Sequence, residues 1–367
     1  MTHRERFMAV LNGQTPDRIP IVANLTVQVA EKLAEALGTE VGFVDSFLAT
    51  RISHRDMLLK LGNDAVLIAA TREKPTVTLE NGDALDEWGF TSRTVGLYGE
   101  TVGRPLAACE CVSDLDQYAF PDPDAPARWE HARGEVARFG KDYAVIGDLE
   151  ACIFELAWNL VGLEKFLMDL YTQEAYIEPL LDRIEAYSTR CGLRLIELGA
   201  DMIWAGDDFG TQNGMMISPE IWRRVFKPRY ARMWKTFKAK NPNVRIAYHS
   251  CGSIVPIIPD YIEIGLDFLN PIQPQAAGMD LKALYKQYGK DVGFFGGVDV
   301  QGALPHGTPE DVRAEVRRVM DAVEHSPRFI IAPAHNIQPD TSVKNVLAFF
   351  EEAIAYGAIP QAKDARG

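Results

Sequence analysis

The feature that most constrains how this chain can fold is an alternation repeated along its length. Short apolar runs rich in β-branched residues are separated by longer stretches whose apolar residues recur at helical spacing. Eight runs stand out: IPIVANL (19–25), DAVLIAA (64–70), YAVIGDLE (143–150), DMIWAGDD (201–208), RIAYHSC (245–251), LDFLNPIQ (266–273), VGFFGGVD (292–299) and RFIIAPAH (328–335). Strands that alternate with helices must be joined by crossovers, so they pair in parallel, and eight such units predict a single (β/α)8 TIM barrel. A doubly wound open sheet is the competing architecture, but no glycine-rich phosphate-binding turn follows the first run.

Helix starts are marked locally. Thr2 with Glu5 forms a capping-box pattern ahead of an N-terminal helix, and Ser218-Pro219 and Thr308-Pro309 each pair an N-cap residue with a first-turn proline. The interval 71–142 is less regular and reads as an insertion, with a hairpin turning on Asn81-Gly82. No linker-like stretch and no internal repeat divides the chain, so all 367 residues are expected to form one domain.

Composition excludes several function classes. The formal net charge is −13 and no run of lysines or arginines occurs, which leaves nucleic acid without an electrostatic footprint to bind. No apolar run approaches the roughly 18 residues of a membrane span, and the N-terminus reads as a helix, not a signal peptide. The cytoplasm is therefore the expected location. The five cysteines are odd in number and scattered, which suits free thiols or metal ligands better than a disulfide framework.

In a barrel of this kind the chemistry sits at the C-terminal ends of the strands. Polar residues collect there: Asn24, Asp148 with Glu150, Asp207 with Asp208, His249 with Cys251, Asn270 with Gln273, Asp299, and His335 with Asn336. Capping of the following helices accounts for a share of these aspartates and asparagines. Asp207, Asp208 and Glu150 are the candidate catalytic carboxylates. Adjacent strand residues face opposite sides, so only one of Asp207 and Asp208 should reach the barrel mouth. Asn24, Asp148, Asn270, Gln273, Asp299 and Asn336 are candidate substrate contacts, together with Gln212 in the polar loop GTQNG.

His249 and Cys251 are spaced to share one face of a strand, and together with His335 they offer the N and S donors of a zinc site with three protein ligands. The competing reading is a hydrogen-bonded histidine beside a small buried thiol. Cys109 and Cys111 are read as structural, His3, His54, His131, His306 and His325 as surface residues, and Trp158, Trp204, Trp222 and Trp234 as core.

Four segments, RERFMAVLNGQTPDRIPI, YHSCGSIVPIIPDYIEIGLDFLNPIQ, GGVDVQGALPHGTPEDV and IIAPAHNIQPDTSVKNVLAFFEEAIAYG, together resemble the uroporphyrinogen decarboxylase superfamily. The resemblance implies a TIM barrel and one of two chemistries. Its cobalamin-dependent methyltransferases carry an H-x-C pair and a distant cysteine as zinc ligands; His249 and Cys251 match the pair, and His335 stands at the third position. On that side the resemblance implies a zinc-dependent transfer of a methyl group between methylcobalamin, or a corrinoid protein as partner, and a thiol or folate-type acceptor. The decarboxylases offer the alternative, since their H-G-x-x-P-D segment is similar to residues 335–340. Their arginine-rich motif after the first strand is missing here, their catalytic aspartate is unmatched near Ala70 and Thr71, and no cation is evident at the rim to hold a polycarboxylate. The balance favours methyl transfer, and a non-catalytic binding barrel is the third possibility.

Overall fold

The computed structural model describes residues 1–46, 49–95 and 98–359. Seven of the eight predicted runs form one parallel sheet, whose strands are β1 (Ala65–Ile68), β6 (Ala144–Glu150), β7 (Met202–Gly206), β8 (Arg245–His249), β9 (Phe268–Asn270), β10 (Gly293–Val298) and β11 (Phe329–Pro333), neighbours in that order. Between β1 and β6 the chain makes a separate antiparallel sheet from β2 (Val77–Thr78), β3 (Ala84–Leu85), β4 (Thr91–Val95) and β5 (Tyr98–Gly103). The turn linking β2 to β3 carries Asn81 and Gly82, with Gly82 at φ 85° as that turn requires.

The expected strand at 19–25 is the exception. It runs beside β11, bridging Ile21 to Ile331 and Leu25 to Ile337, but forms no regular ladder. Pro20 has no N–H to give. Along the other edge one backbone bond, from the Asp64 N–H to the Ile21 carbonyl at 2.9 Å, is joined by side-chain bonds: Asn63 bonds both the N–H and the carbonyl of Ala23 at 3.0 Å, and the Asp64 carboxylate accepts the Ile21 N–H at 2.8 Å.

Alternation along the strands sorts the apolar residues into two clusters. Val22, Leu67, Ile146, Met202, Trp204, Ala247, Phe268, Phe295 and Ile330 fill the inside of the curled sheet, while the opposite faces of the strands pack against the surrounding helices in the larger cluster. Among those helices is Ile177–Leu198, whose buried Leu180, Ile184, Cys191 and Leu195 recur at helical spacing. Following the inward series to its end leads from Ile146 to Asp148, from Ala247 to His249 and from Phe268 to Asn270, so the apolar interior is topped by polar groups. At the start of the strands, buried Asp64 is held by Arg6 at 2.9 Å and Arg18 at 2.7 Å. His54, expected at the surface, is buried at 3% exposure. Among the described residues no helix is long and apolar enough to cross a membrane.

Candidate metal centre and its chamber

His249 ends β8, and two residues later the chain turns back so that Cys251 Sγ lies 3.2 Å from His249 Nε2. The turn is shaped by close backbone contact. Gly252 sits at φ +75°, and a Cβ there would come within 2.4 Å of the Gly210 backbone, so this position admits only glycine without displacing the cysteine. The loop is fastened by the Gly252 N–H, which donates to Gln273 Oε1 at 2.8 Å. Just beyond β7, Asp208 Oδ1 accepts the Cys251 N–H at 2.7 Å and lies 3.5 Å from His249 Nε2. One sulfur, one nitrogen and one carboxylate oxygen thus lie within 4.8 Å of one another.

The geometry also decides which nitrogen of His249 carries the proton. Asn270 Oδ1 sits 2.6 Å from His249 Nδ1. That atom is the amide oxygen, because the Trp204 indole N–H donates to it at 3.2 Å and the Asn270 amide nitrogen donates to the Phe295 carbonyl at 2.9 Å. Nδ1 is therefore the protonated nitrogen, and Nε2 turns its lone pair toward Cys251 and Asp208. Burial, with Arg51 and His335 nearby, holds the imidazole pKa well below its ordinary value, so the ring is neutral. Burial, with Asp208 and Glu155 nearby, pushes the Cys251 thiol well up. A neutral imidazole and a thiol able to give up its proton to a cation fit zinc, and an outer hydrogen bond that orients the histidine is a regular part of such sites.

The adjacent aspartates divide as alternation requires. Asp207 is fully buried in the wall, where it accepts from the backbone N–H groups of Ile153 at 2.9 Å and Glu155 at 2.8 Å, and from Tyr230 Oη at 2.5 Å. Burial outweighs those bonds and pushes its pKa up to about 6. Asp208, partly exposed, turns instead to His249 and Cys251. Glu155, which no pattern in the sequence singles out, lies in the first turn of the helix Phe154–Val161. Burial, and the neighbouring Asp208 and Asp207, push its carboxyl well above the ordinary range.

A chamber beside the donor group is lined by Asn24, Arg51, Trp204, His249, His335 and Asn336. The ring of His335 lies 6.4 Å from that of His249, centroid to centroid, and its donor atoms fall outside the three-atom group. Arg51 corrects the expectation that the rim has no cation. It is buried, its guanidinium carbon stands 3.8 Å over the Trp204 ring, and its Nη1 lies 3.9 Å from Asp148 Oδ1. Asp148 is itself buried, and burial raises its pKa to about 6 against the opposing pull of Arg51. Other rim residues have local duties. Asp299 Oδ1 accepts the N–H groups of Gln301 at 2.8 Å and Gly302 at 3.1 Å, and Gln212 is exposed on its loop. The backbone of Glu150 pairs with Gly206 at the end of β6, while its side chain lies outside the described residues.

Comparison with known proteins places the chain in a family. Over 344 residues the chain is 24% identical to the methylcobamide:CoM methyltransferase MtbA of Methanosarcina mazei, covering 88% of this chain and 89% of that protein. A uroporphyrinogen decarboxylase of Pelodictyon phaeoclathratiforme is 24% identical over 188 residues, half of each chain. In fold, the chain is similar to the solved structure of a methyltransferase from Methanosarcina mazei, with a TM-score of 0.73 and 20% identity over 97% of this chain and 99% of that one. The family model described as uroporphyrinogen decarboxylase (URO-D) matches residues 100–356, and the chain belongs to that family.

Proposed function

We propose that the protein is a zinc-dependent methyltransferase that moves a methyl group between a methylcorrinoid, delivered by a partner corrinoid protein, and a thiol or folate-type acceptor. The observation that carries this reading is the group Asp208, His249 and Cys251, with His249 presenting the lone pair of Nε2. The methylcobamide:CoM methyltransferases to which the chain is similar support the same chemistry. Zinc, when bound, lowers the pKa of a thiol so that thiolate is present at neutral pH.

The remaining work falls to the chain itself. Cys251 as thiolate, Asp208 through its carboxylate and His249 through Nε2 would hold the zinc, with Asn270 keeping His249 in the tautomer that leaves Nε2 unprotonated. Asn24, His335 and Asn336 line the space where an acceptor would lie, and His335 is close enough to serve it directly. Trp204 and Phe295, both buried and with ring centroids 4.7 Å apart, form the apolar floor. A decarboxylase acting on a polycarboxylate is the weaker alternative. Arg51 is a single cation facing Asp148, and several carboxylates need several cationic partners.

We also read 19–25 as the eighth stave of a closed barrel, on the strength of its bridges to β11, and the chain as one domain into which 71–142 is inserted. Five free cysteines suit a reducing compartment, the cytoplasm.

The test combines metal content with turnover. Protein prepared without chelators should hold about one zinc per chain. Cys251→Ser and Asp208→Ala should lower that content, and only the zinc-loaded protein should demethylate methylcobalamin in the presence of an acceptor thiol or folate. A well-folded protein with no transition metal, or methylcobalamin left untouched with every acceptor, overturns the proposal. His335→Ala with full zinc and reduced turnover would assign that histidine to the acceptor and not to the metal.

A further inference from the structure

The chamber beside the metal centre is small. It measures about 10 Å³, roughly the room that one water-sized group occupies. One polar atom of its lining stands open: Asn24 is 6% exposed, and its Oδ1 has no hydrogen-bond partner among the described residues. The Asn24 backbone carbonyl accepts the Ile337 N–H at 2.9 Å, which holds this side chain beside the segment 335–338.

That segment also sets the tautomer of His335. Gln338 Nε2 donates to the Asn336 carbonyl at 3.1 Å, which identifies it as the amide nitrogen, and it stands 3.2 Å from His335 Nδ1. An amide nitrogen only donates, so Nδ1 holds the lone pair and Nε2 carries the proton of the ring. A histidine in this state cannot bind a metal through Nε2, and its Nδ1 is taken. Its donor atoms also fall outside the group formed by Asp208, His249 and Cys251. The side chain lines the chamber and is reached from solvent, so an entering molecule meets an N–H donor there.

We propose that His335 is a hydrogen-bond donor to the methyl acceptor and not a ligand of the metal, and that with Asn24 it selects a small thiol carrying a neutral hydroxyl. The hydroxyl sits in the chamber, accepting from His335 Nε2 and donating to Asn24 Oδ1, while the sulfur lies toward Asp208, His249 and Cys251. An alkyl end would leave Oδ1 buried and unpaired, and a carboxylate has no proton to give it. An anion meets a further obstacle. Arg51, the cation of the lining, faces Asp148 at 3.9 Å and lies within electrostatic reach of Cys251, Asp208 and Glu155, so its charge is already answered. A bicyclic ring is too large for the space. The inference rests on the methyl-transfer reading and deepens it by naming the class of acceptor.

The probes are 2-mercaptoethanol, 1-propanethiol, which has a methyl group in place of the hydroxyl, and 3-mercaptopropionate, which has a carboxylate there. Each is titrated into the cobalt(II)-substituted full chain without methyl donor, and binding is followed by the thiolate-to-cobalt charge-transfer absorption. 2-Mercaptoethanol should bind at least about ten-fold more tightly than either of the others. His335→Ala and Asn24→Ala should each bring the three thiols to within about three-fold of one another at full metal content. His335→Gln, whose amide can place an N–H where Nε2 was, should keep both the metal and most of the preference. If an alanine variant fails to fold, His335→Gln and the thiol series on the unaltered chain still decide. Equal binding of the hydroxyl and alkyl thiols would mean that the chamber holds only water, and tighter binding of the carboxylate would make it an anion site; either overturns the proposal. Metal lost from a folded His335→Gln or His335→Ala protein also overturns it, by making His335 a ligand. A metal-loaded chain that demethylates methylcobalamin without preferring the hydroxyl sinks this inference alone, whereas a chain that takes up no metal sinks the methyl-transfer reading with it.

Discussion

His249 Nδ1 lies 2.6 Å from Asn270 Oδ1, and Asn270 cannot turn round to offer its amide nitrogen instead, since that nitrogen donates to the Phe295 carbonyl at 2.9 Å. The asparagine therefore fixes both the proton and the rotation of the imidazole before any metal arrives. Asn270→Leu keeps the approximate volume and removes the acceptor. Zinc affinity, measured by competition with a chromogenic chelator, should fall about 10–100-fold, the usual cost of losing a group that orients a ligating histidine. Unchanged affinity in a folded variant would mean that His249 does not bind through Nε2.

Asp207 and Asp208 are neighbours in sequence whose loss should fail in different ways. Asp207→Ala leaves the buried N–H of Ile153 and hydroxyl of Tyr230, and the part-buried N–H of Glu155, without their acceptor. At about 1–3 kcal/mol for each orphaned donor the loss should exceed ~3 kcal/mol and appear as a clear drop in melting temperature. Asp208→Ala touches a partly exposed side chain and should melt close to the unaltered protein while losing metal. Finding the two effects exchanged would show that the assignment of wall and metal site is inverted.

How much of this was legible in the sequence depends on whether the interaction is local. Strand ends could be read because an apolar run stops abruptly at a polar residue, and His249 with Cys251 could be read because period-two spacing and soft donor atoms coincide. Strand alternation predicts that Asp207 and Asp208 part company but carries no sign; the sign comes from Tyr230 and the start of the helix Phe154–Val161. Arg51 reaches its place beside His249 across 198 residues of chain, from a short helical turn without periodicity, so no pattern announces it. The run at 19–25 has the composition of a strand, yet Pro20 and the side chains of Asn63 and Asp64 divert its hydrogen bonds. His54 is polar in a window that reads as surface, and only the packing of the chain above it makes it buried.

The last prediction concerns the pH dependence that Asp148 should impose. Its carboxyl is raised from 3.8 to about 6 in the folded protein, burial being the largest cause and Arg51 the opposing one. The sign follows from which state holds the proton more tightly. The folded state does, so the protonated group costs nothing below pH 4, and stability is lost as pH rises from about 4 through 6 and the folded protein must ionise a buried acid. The full effect is on the order of 3 kcal/mol, because each tenfold difference in proton affinity between the folded and unfolded states is worth about 1.4 kcal/mol. Asp148→Asn cannot ionise. In chemical denaturation of chelator-treated protein, the stability difference between variant and unaltered chain should move in the variant's favour by that amount between pH 4 and pH 7.5, most of it below pH 6.5. A flat difference would mean that Arg51 fully compensates the carboxylate as a structural ion pair. A slope of the expected sign identifies a buried carboxylate whose ionisation costs more than the facing Arg51 returns.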